Sequence, residues 1–539
     1  MRLSLKAYFL YLQLILPFLG QAQFAGVHTF GGDGNDNGQH LLAGPDHSFF
    51  IGGTMDAAFS PLETDLPVYG QQDLFFGQVD QDGNWLWAQS AGSFLNDELK
   101  AIRSFPNGDL LLAGTFWLEF HYGNQTLTAT DNIKGIFIIC LNASGNWQWG
   151  KVINGADLKE LTDVQIGTDG SIYLTGHFSE SIQFDDLQLE ASGNNDAYLL
   201  KLDDVGALLD WQQLGTKGNT RGQSIALHPD GGYYWGGIYN DTLLFDTTQL
   251  LANTFDPDLF LIRYQADGVP LWIRKAGGVF EVDLTGMATD TEGNLLATGF
   301  FFGVVSLSDE LSIQSRNGNP DIFLFKYNEL GDPIWARAVG GSSIDQSAAL
   351  AIQNDELIIG GRYQDRMAWD DLSVPTTDGV SGFVAGFNTD DGSGNWLYAI
   401  HTDEFAFVED LMFTEQGQLF ALGSFRGSAR LGTLTINSPG QYDAFLTEII
   451  PGITPSFEPD NAIDVLIYPN PVTHTLYLSL PEGRLVNIYL FDASGQLLRS
   501  RRSSQFSEAI DFSTLPTGTY WVEVQQGKRK KTYRVIKQG

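Results

Sequence analysis

Two pairs of adjacent carboxylates, Asp185-Asp186 and Asp370-Asp371, are the first residues whose types suggest chemistry. One acid and one base are what glycosidic cleavage needs. The two pairs recur at equivalent places, FDDLQL and WDDLSV, and that repetition argues for a turn. Asp33-Gly34-Asn35-Asp36-Asn37-Gly38 opens like a calcium loop, Asp-x-Asn-x-Asn-Gly. Gly44 stands at its twelfth position instead of Glu, which removes the bidentate ligand, so the segment reads as a turn and no metal is assigned. The histidines (His28, His40, His47, His121, His177, His228, His401 and His474) do not fall at metal-ligand spacings. His177 follows a recurring glycine and reads as a packed or rim histidine. The one cysteine, Cys140, excludes an intramolecular disulfide and a cysteine zinc cluster. It ends the apolar run IFIIC and reads as buried and inert. There is no Gly-x-Ser-x-Gly elbow, no His-Glu-x-x-His and no Walker loop, and no cofactor is implied.

Composition and period show what scaffold carries these residues. The chain has 539 residues, 43% hydrophobic and 18% charged, which is more than one ordinary domain and not a disordered chain. Its 61 glycines and 13% aromatics suit short strands joined by tight turns. A net charge of −35 repels phosphate backbones and anionic lipid, so nucleic acid is excluded as a partner.

One glycine recurs at Gly53, Gly114, Gly176, Gly237, Gly299, Gly361 and Gly423, at spacings of 61 or 62. A second anchor is Trp87, Trp149, Trp211, Trp272 and Trp335, with Tyr398 in the sixth place. A third is the strand start at Asp73, Asp196, Asp258, Asp321 and Asp443, with Gly135 and Gly382 near the two missing aspartates. Each repeat reads as four strands, a to d: b carries the glycine, c begins at the aspartate and d carries the Trp. Short glycine turns join c to d, as in hairpins. The regular Trp set reads as packing between repeats rather than as a sugar-binding ladder. A period near 62 is too long for a helical solenoid and fits a four-stranded propeller blade with one long loop. The array begins at Phe24 with a d strand, AGVHTFGG, and ends at residues 443–450 with a c strand. The expected fold is therefore all-β: a seven-bladed β-propeller over 23–450, closed by strands from both ends, with Gly26 where other d strands carry Trp or Tyr. The pattern resembles the bacterial β-propeller repeat proteins, a likeness that implies a fold and leaves function open.

An up-and-down sheet puts the b–c and d–a connections on one face, and the b–c connections are long. The d–a connections carry Asp33 and Asp36, Asp97 and Glu98, Asp157 and Glu160, Glu281 and Asp283, Asp345, and Asp403 and Glu404. These acids are the candidate ligand-face rim. The bland alternative is a solvated surface that keeps the protein soluble. Lys217 and Arg221 make one loop basic.

The two ends concern export. Arg2 and Lys6 precede an apolar stretch from Tyr8 to Leu19, and Gly20-Gln21-Ala22 supplies small residues, so residues 1–22 read as a signal peptide cut between Ala22 and Gln23. No later segment is long and apolar enough to span a bilayer. Pro451, Gly452, Pro455 and Pro459 mark a linker over 451–462. Residues 463–539 then hold ten Lys and Arg against six Asp and Glu, a charge reversal that marks a domain boundary. They read as a small immunoglobulin-like β-sandwich. Tyr468-Pro469-Asn470-Pro471, then Asp492 to Gly495, then Leu515-Pro516-Thr517-Gly518-Thr519-Tyr520 and a basic final strand follow in order. This set resembles the type A C-terminal sorting domain of the type IX secretion system. The resemblance implies the secretion machinery as partner of 463–539, passage from the periplasm through a Gram-negative outer membrane, and release or attachment at the cell surface. The reading that follows is a secreted or surface propeller acting as a non-enzymatic binding or adhesion module for an extracellular glycan or protein. The alternative is a secreted polysaccharide hydrolase or lyase with its site at the acidic mouth.

Overall fold

The structure, a computed structural model, describes residues 24–451 apart from 63, 131–133, 157, 246, 253–255, 279, 317, 371, 376 and 378. It also describes 466–538 apart from 469–470, 480–485, 493–495, 504–506 and 527–528. The chain divides into two compact units between Ile453 and Thr454. The signal segment with Ala22 and Gln23, and all but the first residue of the linker, lie outside the described residues.

The first unit is an all-β propeller. Among the described residues its strands pair into seven antiparallel sets of four. The first set runs Asp36–Ala43, Phe49–Met55, Asp73–Val79 and Trp85–Ala91, in the a-b-c-d order read from the repeat. The a strands are innermost: Asp36–Ala43, Glu98–Ser104, Lys159–Ile166, Thr220–Leu227, Val282–Thr289, Asp345–Gln353 and Phe405–Phe413. Each contacts the next, and the last contacts the first. Closure is made as expected: Phe24–Phe30 pairs antiparallel with Asp443–Ile449 as the fourth strand of the last set. Two cross-chain bonds lock the seam, Asp36 N to Tyr442 O at 2.7 Å and Leu41 N to Asp410 Oδ2 at 2.9 Å. Strands b and c are apolar on both faces because each is sandwiched between neighbouring blades; Ile172–Phe178 and Asp258–Tyr264 are buried along their whole length.

The tryptophans pack between blades, and their register corrects two of the sequence anchors. A Cβ at Gly145 would lie 2.9 Å from the Trp87 ring, and Gly206, Gly331 and Gly392 meet Trp149, Trp272 and Trp335 in the same way. Those turn glycines also hold φ between +70° and +80°, so two independent constraints exclude a side chain. Each packing Trp sits opposite the residue five places after the start of strand c, such as Gln78, Cys140, Arg263 or Lys326. In the third blade that place, opposite Lys201, belongs to Asp210; Trp211 is one residue on, points to the other face and is 42% exposed. In the sixth blade it belongs to Trp396, opposite Gly386, rather than to Tyr398. The c–d turn there closes Asn388 N on Ser393 O, one residue longer than the first blade's Asp80 N on Asn84 O. At the closing strand His28, not Gly26, meets the neighbouring turn, 2.3 Å from a Cβ on Gly83.

The long b–c connections are not open loops, which corrects a second expectation. Six of them fold as β-hairpins, from Glu119–Tyr122 with Gln125–Thr128 to Ser428–Leu431 with Leu434–Asn437. The fifth, sixth and seventh blades' hairpins pair with the d strand of the preceding blade. The outer edges of the fourth, fifth and sixth sheets are thereby capped. Every hairpin is entered through a positive φ, at Leu118, Glu180, Asp241, Gly303, Asp365 and Gly427. Asp185 and Asp370 also take positive φ at the hairpin tips, consistent with their reading as turn residues.

Among the described residues the second unit has one sheet of three strands and one of four. Between them lies a core that includes Val472, Leu476, Ile488, Phe512, Val522 and Val535. Tyr520 is buried in it, and its hydroxyl donates to Pro516 O at 2.7 Å. Leu515 N donates to Phe512 O, and Asp492 Oδ1 accepts from Gln496 N at 3.0 Å, so parts of the sorting motif shape turns at the sheet ends. Pro469, Asn470 and Gly495 lie outside the described residues.

Candidate binding face

The eleven acids of the proposed rim divide by burial. Asp33, Glu281, Asp403 and Glu404 are exposed. Glu98, Glu160 and Asp283 are half-buried, and Asp157 lies outside the described residues. Asp36, Asp97 and Asp345 are fully buried, so they are not part of a solvated rim. The reason is topological. Each opens an a strand, directly beside the aspartate that opens the preceding blade's c strand. The backbone fixes the meeting: Asp36 N donates to Tyr442 O, Asp97 N to Gln72 O at 2.8 Å and Asp345 N to Pro320 O at 3.1 Å. The acceptors are the residues just before Asp443, Asp73 and Asp321. Three buried carboxyl pairs result: Asp443 with Asp36, Asp73 with Asp97, and Asp321 with Asp345. Burial is the main cause that pushes Asp36 and Asp97 up to about 7, Asp345 to about 8 and Asp321 to about 6.

The a-strand residues one step on face the central axis and carry mixed charge. Lys134 Nζ lies 2.8 Å from Glu160 Oε1 and 3.8 Å from Glu98 Oε2, and Lys100 lies 2.9 Å from Glu98. Gln223 donates to Asp283. Glu98 and Glu160 are thus neutralised by lysines within the propeller. His177 is buried close by, and burial lowers it to about 4, so it stays neutral near pH 7. Cys140 is buried, and its thiol is pushed up to about 12, as expected of an inert core cysteine.

A β-bulge recurs once in every a strand and was not visible from the repeat anchors. It places Asp163 to accept Ile225 N at 2.8 Å and Asp410 to accept Leu41 N, each stitching one blade to another. At the seventh bulge Glu409 is pushed up to about 8, chiefly by desolvation, against the lowering effect of Arg362. A raised carboxyl is protonated in the folded chain over a range where the unfolded chain, at its ordinary 4.5, is ionised. Its contribution is therefore fully present below about pH 4.5 and is lost as pH rises through about 8. The melting temperature should be higher at pH 6 than at pH 9, and Glu409→Gln should narrow that difference. An unchanged difference in the variant, measured by thermal denaturation, would exclude Glu409 as a contributor.

One feature of the face had no sequence signal. Three connections converge beside the second blade on a cleft of about 600 Å³. The first blade's b–c connection brings Val68 and Tyr69, the d–a loop brings Phe94, and the second blade's hairpin region brings Trp117, Leu118 and His121. Tyr69 and His121 stack with ring centroids 5.8 Å apart, and Phe94 is 73% exposed. The hairpin is held in place by reciprocal backbone bonds between Gly92 and His121, at 3.1 and 2.8 Å. These aromatics meet only because blades one and two are neighbours.

Comparison with known proteins separates the two units. Residues 466–538 match the family described as the secretion system C-terminal sorting domain. The propeller is similar to an uncharacterized WD repeat-containing protein of Acanthamoeba polyphaga mimivirus, 22% identical over 62% of this chain and 30% of that protein. It is also similar to the regulatory protein FlaEY of Caulobacter vibrioides, 27% identical over 36% of this chain and 21% of the relative. The chain thus spans under a third of either relative. Among solved structures, quinohemoprotein alcohol dehydrogenase from Comamonas testosteroni aligns with a TM-score of 0.33 and 9% identity over 83% of this chain and 79% of that one. PorZ, a surface component of the type IX secretion system of Porphyromonas gingivalis, aligns with a TM-score of 0.17 and 12% identity over 96% of this chain and 100% of that one. The chain is a β-propeller repeat protein carrying a type IX secretion sorting domain, exported to the cell surface or the extracellular space. No helix among the described residues is long and apolar enough to cross a membrane.

Proposed function

We propose that this exported propeller is a non-enzymatic binding module that takes an extracellular glycan on its b–c and d–a face. The observation that carries the reading is the cleft of Tyr69, Phe94, Trp117 and His121. Ring faces offer large apolar area at low entropic cost, while Glu119, His121 and Thr128 add polar groups at the cleft wall. Such a mixture suits a sugar, which has apolar C–H faces and a polar edge. A protein ligand meeting the exposed Asp33, Glu281, Asp403 and Glu404 is the other binding partner this face would accept.

The test is a glycan and protein array probed with the full chain and with Phe94→Ala and Trp117→Ala. Loss of one aromatic contact should weaken glycan binding by about tenfold, which corresponds to ~1.4 kcal/mol. Equal signals from all three proteins would remove the cleft from consideration. The second reading, a polysaccharide hydrolase or lyase, rests on Glu409 beside Asp410, both raised by burial on the innermost strand. Release of reducing or unsaturated ends from an arrayed glycan, abolished by Glu409→Gln, would favour it.

A further inference from the structure

The seven places where a c strand meets the next a strand can be compared within this one chain. The paired residues are Asp443 with Asp36, Asp73 with Asp97, Gly135 with Lys159, Asp196 with Thr220, Asp258 with Val282, Asp321 with Asp345 and Ser381 with Ala406. Each a-strand member lies opposite the residue two places after its repeat glycine, such as Met55, Tyr363 or Phe425, so the seven places are equivalent. An acid opens the a strand only where an acid also opens the preceding c strand. Two like charges are therefore brought together at three junctions and at no others.

The remaining junctions show how a single acid is satisfied by the protein itself. Lys275 Nζ lies 2.6 Å from Asp258 Oδ2, where the a strand opens with Val282. Gln213 Nε2 donates to Asp196 Oδ2 at 2.6 Å, where it opens with Thr220. Among the described residues no side-chain cation makes an ion pair at the Asp–Asp junctions; Arg316, whose guanidinium donates to Gly340 O, acts on Asp321 and Asp345 through its charge alone, and the Ser93 and Ser438 hydroxyls donate to Asp97 and Asp443. The inner oxygens at these junctions are held by loop amides: Asp36 Oδ2 by Gly32 N, Asp73 Oδ2 by Tyr69 N, Asp321 Oδ2 by Arg316 N and Asp345 Oδ2 by Gly341 N. The other oxygen of each of these four residues, Oδ1, is buried and has no hydrogen-bond partner. A point at the Cβ position of Gly340 is 2.3 Å from Asp321 Oδ1 and 2.9 Å from Asp345 Oδ2, so the two carboxylates converge on one spot. At the seam, the Cβ position of Gly31 is 2.0 Å from Asp443 Oδ1 and 3.1 Å from Asp36 Cβ. Glycine at these positions lets the carboxyl group pack directly on the backbone, as Gly277 does beside Asp258 and Gly215 beside Asp196; what sets the three junctions apart is the second carboxylate.

We propose that the three Asp–Asp junctions are calcium sites that pin neighbouring blades together: Asp443 with Asp36, Asp73 with Asp97, and Asp321 with Asp345. A buried unpaired carboxylate is costly, and two side by side are costlier, unless a cation lies between them. The available ligands are oxygens, which favours a hard cation over zinc or copper. Two carboxylates leave the rest of a shell of six to eight to backbone carbonyls and water, the make-up of flexible calcium sites. Export makes such sites usable, because extracellular modules work with affinities of about 10⁻⁴–10⁻³ M. Asp36 belongs to the segment that opens like a calcium loop, yet its partner here is Asp443, some four hundred residues away in sequence. One of the three sites therefore spans the ring seam.

The experiment uses the full chain, stripped with chelator and then dialysed against calcium. Metal analysis should return three calcium ions per chain, and the melting temperature should rise as calcium is added. Asp345→Asn and, separately, Asp97→Asn should each retain two, since each change keeps the size and hydrogen-bonding shape of the residue while removing one ligand charge. A second measurement guards against variants that fail to fold: terbium luminescence excited through neighbouring aromatics in the unmodified chain, competed away by calcium. Magnesium should compete poorly, because it demands tighter octahedral geometry. No bound calcium and no change in melting temperature up to about 10 mM, tenfold above the weakest extracellular modules, would overturn the proposal and leave each pair sharing a proton. A calcium count that stays at three in both variants would equally overturn it.

Discussion

A chain lacking residues 24–32 is expected to aggregate or to melt far below the full protein. The deletion removes Phe24–Phe30, the fourth strand of the last blade, and leaves Asp443–Ile449 with an open edge. Phe24 and Phe30 are both buried, Phe24 against Tyr398 with ring centroids 6.0 Å apart. Truncating a buried Phe costs roughly 3–5 kcal/mol, so two of them approach the ~5–15 kcal/mol that holds a whole domain together. The loss also takes His28 away from the first blade's turn and the Gly32 amide away from Asp36. Scanning calorimetry and light scattering check the outcome. A truncated chain that melts with the full protein would show that the ring does not depend on its closing strand.

Removing residues 463–539 is expected to abolish appearance of the propeller at the cell surface and in the medium. The sorting domain is a compact unit with its own core, and the propeller's strands pair without it. The deleted protein should therefore fold and accumulate inside the outer membrane. The sorting domain's basic final strand, Arg529–Lys537, contrasts with an otherwise acidic chain and offers the machinery a distinct charge. Fractionation with immunoblotting reads the result, and protease shaving of intact cells separates surface from periplasmic material. Undiminished surface display would exclude 463–539 as the export signal.

The elements and their order are legible in the residues alone. Glycines at 61- or 62-residue intervals, aspartates opening the c strands and glycines in the c–d turns gave strand type, set size and the pairing of the two chain ends. These are local or periodic features, and a period survives without knowledge of how blades meet. The sorting motifs were legible for the same reason, since they are contiguous. Register was less legible. In the sixth blade a b–c connection two residues shorter than the fifth blade's, partly offset by a turn one residue longer, puts Trp396 rather than the expected Tyr398 in the packing place, and a one-residue shift turned Trp211 outward. Strand faces alternate with period two, so spacing counted from a distant glycine misassigns a face after any bulge or longer turn.

The company each side chain keeps depends on how the blades meet. Asp36, Asp97 and Asp345 looked like surface acids because d–a connections are polar and the chain is strongly acidic. They are buried because the neighbouring blade's c strand covers them, and in each case a second aspartate arrives with it. The long b–c segments looked like free loops, yet they fold as hairpins because unsatisfied edges of the preceding blade stand ready to pair. The aromatic cleft draws Tyr69, Phe94 and Trp117 from three connections with no shared periodicity. Burial, charge pairing and concavity are properties of surfaces brought together across blades. A single sequence fixes the blades by repetition, and the contacts between them depend on which residues repetition leaves different.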